Sequence, residues 1–192
     1  EEFFKERVHT IRRPKPDDFQ IKEAAELIKK SKKPIIIAGG GVFYSDATDE
    51  LSNFAKKHNI PVTQTVMGYS SMKKDHTHYL GTIGGLGGKA ANNLSKETDT
   101  AIAIGTKLAD FTTGSWANFE NPNFKLVSIN AARFDANKHM AQAVVGDAKV
   151  SLMELSQALG SWKADENWHK KSRNELKDWE AYVDKESGPT NQ

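Results

Sequence analysis

Apolar positions along the chain alternate between a helical and an extended period. Ile21, Ala24, Ala25, Leu27 and Ile28 recur at helical spacing behind Asp17 and Asp18, either of which can cap a helix running to about Ser31. Lys29, Lys30, Lys32 and Lys33 then sit where the helix dipole favours positive charge, so this lysine run reads as a helix end. Pro34-Ile35-Ile36-Ile37-Ala38 is a short, continuously apolar run, which predicts a strand buried on both faces, and it stops at Gly39-Gly40-Gly41. A helix over about Asp46–His58 follows, with Leu51, Phe54, Ala55 and His58 on one side, and then a strand over Ile60–Gln64. A glycine-rich loop, Gly81 to Gly88, opens a helix from about Lys89 to Lys96. Further strands are expected at Thr100–Ile104, Lys125–Ile129 and Ala143–Gly146, the last leading to a helix capped by Asp147 and running through Leu159. Strands that alternate with helices and end in Gly or a small polar residue predict an α/β domain: a doubly wound, parallel sheet of about six strands, with helices on both faces and a binding crevice at the strands' C-terminal ends.

The last segment departs from this pattern. Residues 161–192 carry 13 charged residues in 32 and hold Trp162, Trp168 and Trp179, three of the four tryptophans. An amphipathic helix over about 165–186 could present Trp168, Leu176, Trp179, Tyr182 and Val183 either to something outside the domain or to the domain itself. The 192 residues suit one domain with arms, and the start Glu1-Glu2-Phe3-Phe4-Lys5, without an initiator Met, fits a piece of a longer protein. The chain has no Cys, which excludes disulfide scaffolds, Cys-ligated metal and thiol catalysis and suits a reducing, cytoplasmic setting. A formal net charge of +2 gives no argument for nucleic acid, and no apolar run approaches the ~20 residues of a membrane span.

Several motifs fail residue by residue. Gly39-Gly40-Gly41-Val42-Phe43-Tyr44 begins like a dinucleotide fingerprint, but Tyr44 stands where the third glycine belongs, and the next strand ends in Gln64 instead of an acid. Gly88-Lys89 resembles the end of a P-loop, yet Ile83 and Ala90 occupy the first-glycine and Ser/Thr positions. Ser115 lacks a nucleophile elbow. His76-Thr77-His78 could place two imidazoles on one side of a strand, but no third ligand is evident nearby, and the reading is a solvated loop. His58, on an apolar helix face, reads as a partly buried structural histidine.

Taken together, Gly39-Gly40-Gly41-Val42, Ile60-Pro61-Val62-Thr63, Val66-Met67-Gly68, Asp75-His76, Gly84-Gly85-Leu86-Gly87 with Ala90-Ala91-Asn92, Ile104-Gly105-Thr106-Lys107-Leu108 and Val145-Gly146-Asp147-Ala148-Lys149 form an ordered series. That series, over about residues 20–160, resembles the central domain of thiamine-diphosphate enzymes of the acetohydroxyacid synthase type. Within the family, Asp110-Phe111-Thr112-Thr113-Gly114-Ser115-Trp116 and the flank from Glu1 to His9 are similar to a hydrolase branch of inositol catabolism, which opens a cyclic 1,2-dione to 5-deoxyglucuronate.

The resemblance implies that this domain is non-catalytic. In such enzymes an N-terminal domain supplies the activating glutamate, and a C-terminal domain holds thiamine diphosphate and Mg²⁺ through a GDG…NN motif. Gly146-Asp147-Ala148 departs from that motif at Ala148, and Glu175 stands beside Asn174 where a second Asn would be needed. Residues 1–16 then resemble a linker from the first domain, 17–160 the central domain, and 161–192 the stretch leaving toward the third. The implied partners are those flanking domains, a second copy or three further copies of the parent chain, and a small cyclic dione.

Related central domains hold FAD or ADP at their strand-end turns. Carried over by motif, the candidate positions are Gly40 and Gly41, Met67 and Gly68, Gly105 and Thr106, and Asn130. Asn130 stands where the synthase pattern has an aspartate and Phe111 where it has an arginine, and the first departure argues against a retained nucleotide. The alternatives are a self-sufficient NAD-, FAD- or ADP-binding module of sirtuin-like fold, the central domain of a synthase-type lyase or transferase, and a domain whose main task is oligomer formation.

Overall fold

The fold was described from a computed structural model, in which residues 2–8, 10 and 12–188 are placed. Glu1 and His9 of the N-terminal flank and the exit run Pro189–Gln192 lie outside the described residues. Six strands, β1 (Pro34–Ala38), β2 (Val62–Gln64), β3 (Tyr79–Thr82), β4 (Thr100–Ile104), β5 (Lys125–Asn130) and β6 (Gln142–Val145), form one all-parallel sheet in the order β3-β2-β1-β4-β5-β6. The chain runs outward from β1 to β3, returns to the middle at β4 and proceeds to the other edge, so the order reverses between β1 and β4. Every residue of β1 and β4 is buried, and Ile36 lies between Val62 and Ile102 in register. Such two-sided burial is what continuous Ile and Ala runs allow and an alternating strand would not.

The helices are α1 (Asp18–Lys29), α2 (Gly41–Tyr44), α3 (Thr48–His58), α4 (Lys89–Glu97), α5 (Asp110–Thr113), α6 (Arg133–Ala136), α7 (Ala148–Leu159) and α8 (Glu166–Glu186). α1 and α3 both pack on α7, while α4 and α8 form a second group that reaches β3. Asp17 caps α1 by accepting from the amides of Phe19 and Gln20 at 2.9 and 3.3 Å, a contribution of about 1 kcal/mol. Gln20 of the same helix accepts the Val145 amide at 2.9 Å and so covers part of the edge strand β6.

Three local expectations change. The helix foreseen from Asp46 starts at Thr48, because the chain first makes the single turn α2 and then reverses at Asp46, whose φ is +51°. The strand foreseen from Ile60 starts at Val62, behind Pro61. β3 was not foreseen: its four residues Tyr79-Leu80-Gly81-Thr82 are too short and too glycine-broken to show a period.

The C-terminal helix folds back on the domain for its first three turns. Trp168 and Leu176 are buried, and the Trp168 indole N–H donates to the Pro34 carbonyl at 2.8 Å. Burying two such side chains stabilises the docked helix by roughly 3–6 kcal/mol before the loss of chain entropy is counted. Only the last turns, with Tyr182 and Val183, keep an exposed apolar face.

Candidate functional site

The reversal of strand order leaves a crevice of about 710 Å³ at the C-terminal ends of the strands, where doubly wound domains bind their ligands. Six of the seven candidate positions line it: Gly40 and Gly41 after β1, Met67 after β2, Gly105 and Thr106 after β4, and Asn130 at the end of β5. Gly68 does not. It lies beneath, against β1, where a Cβ would stand 2.2 Å from the Ala38 carbonyl oxygen. Arg12, Lys107, Asp135 and Asp147 supply the charge around the crevice, and Tyr44 and Phe111 its aromatic walls. Spacing could not reveal Arg12 and Asp135, because a rim joins residues from opposite ends of the chain: neighbouring Arg13 meets Asp147 across 134 positions.

The polar groups of the crevice are largely engaged with one another. The Gly39 amide donates to Ile104 O at 2.8 Å, that of Gly41 to Gly105 O at 2.9 Å, and that of Gly105 to Ile129 O at 2.8 Å. These glycines thus stitch neighbouring strand ends together. Asn130 donates through Nδ2 to Thr106 O at 3.2 Å and accepts the Ala132 amide at Oδ1 at 2.9 Å, which fixes the two turns beside it. Asp135 pairs with Lys138 at 2.6 Å. Asp147, almost fully buried, caps α7 through the amides of Lys149 and Val150 at 3.0 and 3.2 Å and faces Arg13 at 3.3 Å. Arg13 also donates to the Ser45 carbonyl, and the Asp147 amide donates to Pro14 O, so the arm ahead of α1 is tied into the rim.

This arrangement does not fit a dinucleotide. The ribose-binding acid is replaced by an Asn whose side chain is committed to the protein, and the helix after the first glycine turn is one turn long, ending at Tyr44. It does not fit the diphosphate and metal of thiamine diphosphate either, because the Asp147 carboxylate is directed at two helix amides and a guanidinium.

A second cluster lies at the other edge, around β3. His78 is buried beside β3, and its ring stacks on His169 of α8 with centroids 4.2 Å apart. His76 stands 5.6 Å from His78. Burial, reinforced by His169, His76, Arg173 and Lys56, pushes the His78 pKa down to about 3. Sequence reading paired His76 with His78 but missed His169, which bonds to Thr77 from 92 positions away. The ring nitrogens of His78 face Asn59 Oδ1 and Thr77 Oγ1, each at 3.0 Å, and among the described residues no group of three His, Asp or Glu is arranged to hold a metal. His58 is wholly buried, with Nδ1 donating to Trp162 O at 2.8 Å, and burial holds its pKa below the ordinary value.

Sheet order, switch-point crevice and glycine turns define a doubly wound α/β domain. Residues 21–155 match the profile of the thiamine pyrophosphate enzyme central domain, and the chain belongs to that family. Over 179 residues it is 41% identical to a 3D-(3,5/4)-trihydroxycyclohexane-1,2-dione hydrolase of Clostridium perfringens strain 13, which covers 93% of this chain and 28% of the relative. A protein of the same name from Clostridium botulinum strain Alaska E43 is 44% identical over 178 residues, 93% of this chain and 27% of the relative. A third, from Bacillus cereus strain ZK, is 44% identical over 153 residues, 80% of this chain and 24% of the relative. The chain therefore spans 24–28% of the length of these relatives.

Proposed function

We propose that this chain is the non-catalytic central domain of a thiamine-diphosphate-dependent hydrolase that cleaves a C–C bond of trihydroxycyclohexane-1,2-dione and opens the ring to 5-deoxyglucuronate. The observation that carries this reading is 41–44% identity to enzymes of that name across 93% of the chain. In the intact enzyme the cofactor supplies an electron sink for the breaking bond. Its diphosphate and Mg²⁺ are held outside residues 1–192, a reading supported by the commitment of Asp147 to the α7 cap and Arg13. Residues 1–16 and 161–192 lead to flanking domains on either side of 17–160, and the parent enzyme is a cytoplasmic homodimer or homotetramer. The task of this domain is to hold those neighbours in register, a reading supported by a crevice braced by its own amides and by Asn130.

A domain exchange tests the proposal. Placing residues 17–160 in the Clostridium perfringens hydrolase in place of the matching segment is expected to keep ring opening within about tenfold. A folded chimera that binds thiamine diphosphate but opens no ring would refute the reading. The chain alone, supplied with thiamine diphosphate, Mg²⁺ and the dione, is expected to show no turnover. Calorimetry with NAD, FAD and ADP is expected to show no micromolar binding, and binding of any of them would favour the nucleotide-module alternative.

A further inference from the structure

The segment before β3 and the first turns of α8 meet through imidazoles and a network of hydrogen bonds. Asn59, the left-handed residue that ends α3 at φ +56°, donates through Nδ2 to Ala164 O at 3.3 Å and to Glu166 Oε2 at 3.1 Å. Its Oδ1 is therefore the atom turned to His78 Nε2 at 3.0 Å, which requires the proton of His78 to sit on Nε2. His78 Nδ1 then accepts from Thr77 Oγ1 at 3.0 Å, and His169 Nε2 donates to Thr77 O at 3.0 Å. The stacked rings, with planes 20° apart, complete a joint in which both ring nitrogens of His78 are satisfied with the imidazole neutral.

We propose that the His78–His169 stack is an acid-labile latch that holds α8 on the domain and lets the helix swing away at mildly acid pH while the sheet stays folded. A proton added to His78 places a cation against the ring of His169, 4.2 Å away between centroids. The surroundings give it little compensation. Lys56 faces the joint from α3, Arg173 faces it from α8 while donating to Tyr79 O, and His76 faces it from the loop before β3. The acids that face it are Asp75, beside His76, and Glu166, whose carboxylate is 4.0 Å from His169 Nδ1, and both are exposed and screened by solvent. Once α8 is undocked, His78 loses the cover of that helix and the neighbouring His169 and Arg173, so the undocked state takes up the proton first. The docking equilibrium then falls by up to about tenfold for each pH unit below 6.5. Other tethers, among them the buried Trp168 and Leu176 and the Lys171–Glu97 ion pair, carry no histidine and set how far the pH must fall, while His58 ties the segment before α8 through Trp162 O. The centre of the sheet has no such joint: every residue of β1 and β4 is apolar or Thr.

The test uses the whole chain, 1–192. Hydrogen exchange, corrected for the intrinsic pH dependence of the chemistry, is followed between pH 7.5 and 4.5 together with tryptophan fluorescence. The expected result is a rise of tenfold or more in exchange over α8 and a red shift as Trp168 meets water, with β1 and β4 still protected. His78→Gln can keep the bond to Asn59 without titrating, and His78→Gln with His169→Gln should flatten the response. Lys56→Glu, on the exposed surface of α3, leaves the core untouched and should move the midpoint to lower pH. The proposal is overturned if α8 exchange does not change with pH, if the double variant responds like the parent, if Lys56→Glu leaves the midpoint in place, or if β1 and β4 lose protection together with α8.

Discussion

Gly41 and Gly105 meet backbone to backbone at the point where the strand order reverses. The Gly41 amide donates to Gly105 O at 2.9 Å, and a Cβ on Gly41 would lie 2.6 Å from the Gly105 Cα. Gly105 itself has φ +59°, a conformation that glycine adopts without steric cost. Gly41→Ala should therefore lower stability by about 1–3 kcal/mol through overpacking. Gly85→Ala, whose new methyl would find its nearest neighbour at 3.8 Å, should stay within about 1 kcal/mol of the parent. Urea denaturation of the two variants side by side checks this, and equal losses would contradict the close-packing account.

Asp147 joins the end of the sheet, the start of α7 and the arm before α1. Removing its carboxylate leaves two helix amides and a half-buried guanidinium without their acceptor. Asp147→Ala is expected to cost about 2–4 kcal/mol by chemical denaturation. Arg13→Ala should cost less, because Arg13 is one-third exposed and its removal leaves Asp147 with both amide partners.

The turn Gly114-Ser115-Trp116 holds three successive residues at positive φ, with Ser115 at +53° and Trp116 at +70°. L-residues pay about 1–2 kcal/mol each for that conformation. Trp116 is anchored by its ring contact with His139 at 4.4 Å, but Ser115 is exposed. Ser115→Gly is expected to raise the thermal midpoint by a few degrees, a gain of up to about 1 kcal/mol.

Acid should weaken the whole fold as well as the α8 joint. His58, His76 and His78 all have folded pKa values below the ordinary 6.5, because burial disfavours the charged ring. Below 6.5 the unfolded chain binds more protons than the folded one, so their contribution is intact above 6.5 and is lost as the pH falls, down to about 3 for His78. Glu97, lowered by Lys171 and Lys33, adds a loss only below about 4.5, and a small one because the group is largely exposed. Urea unfolding at pH 7.5 and 5.5 should differ by roughly 1–3 kcal/mol, and the difference should shrink in His58→Gln.

Local pattern carried most of the architecture. The β1 run is continuously apolar and β4 is apolar after Thr100, so both strands, and the two-sided burial of β1, followed from residue type. The caps Asp17 and Asp147 followed from a carboxylate ahead of a helical period. The crevice followed too, since strands that end in glycine converge on one edge. β3 was invisible because four residues split by Gly81 hold no period, and α8 was ambiguous because an amphipathic stripe does not name the surface it will cover.

Sequence by itself therefore determined the α/β class, the parallel sheet, the turns that line the crevice and the family to which the chain belongs, because each rests on residues close together in the chain. Tertiary structure decided what those turns do. It joined Gly41 to Gly105, turned Asn130 onto Thr106 and Ala132, closed Arg13 over Asp147 and stacked His169 on His78. Apart from the Asn130–Ala132 turn, each of these contacts spans segments distant in sequence, and it is packing, which acts through space and not along the chain, that selects the partner.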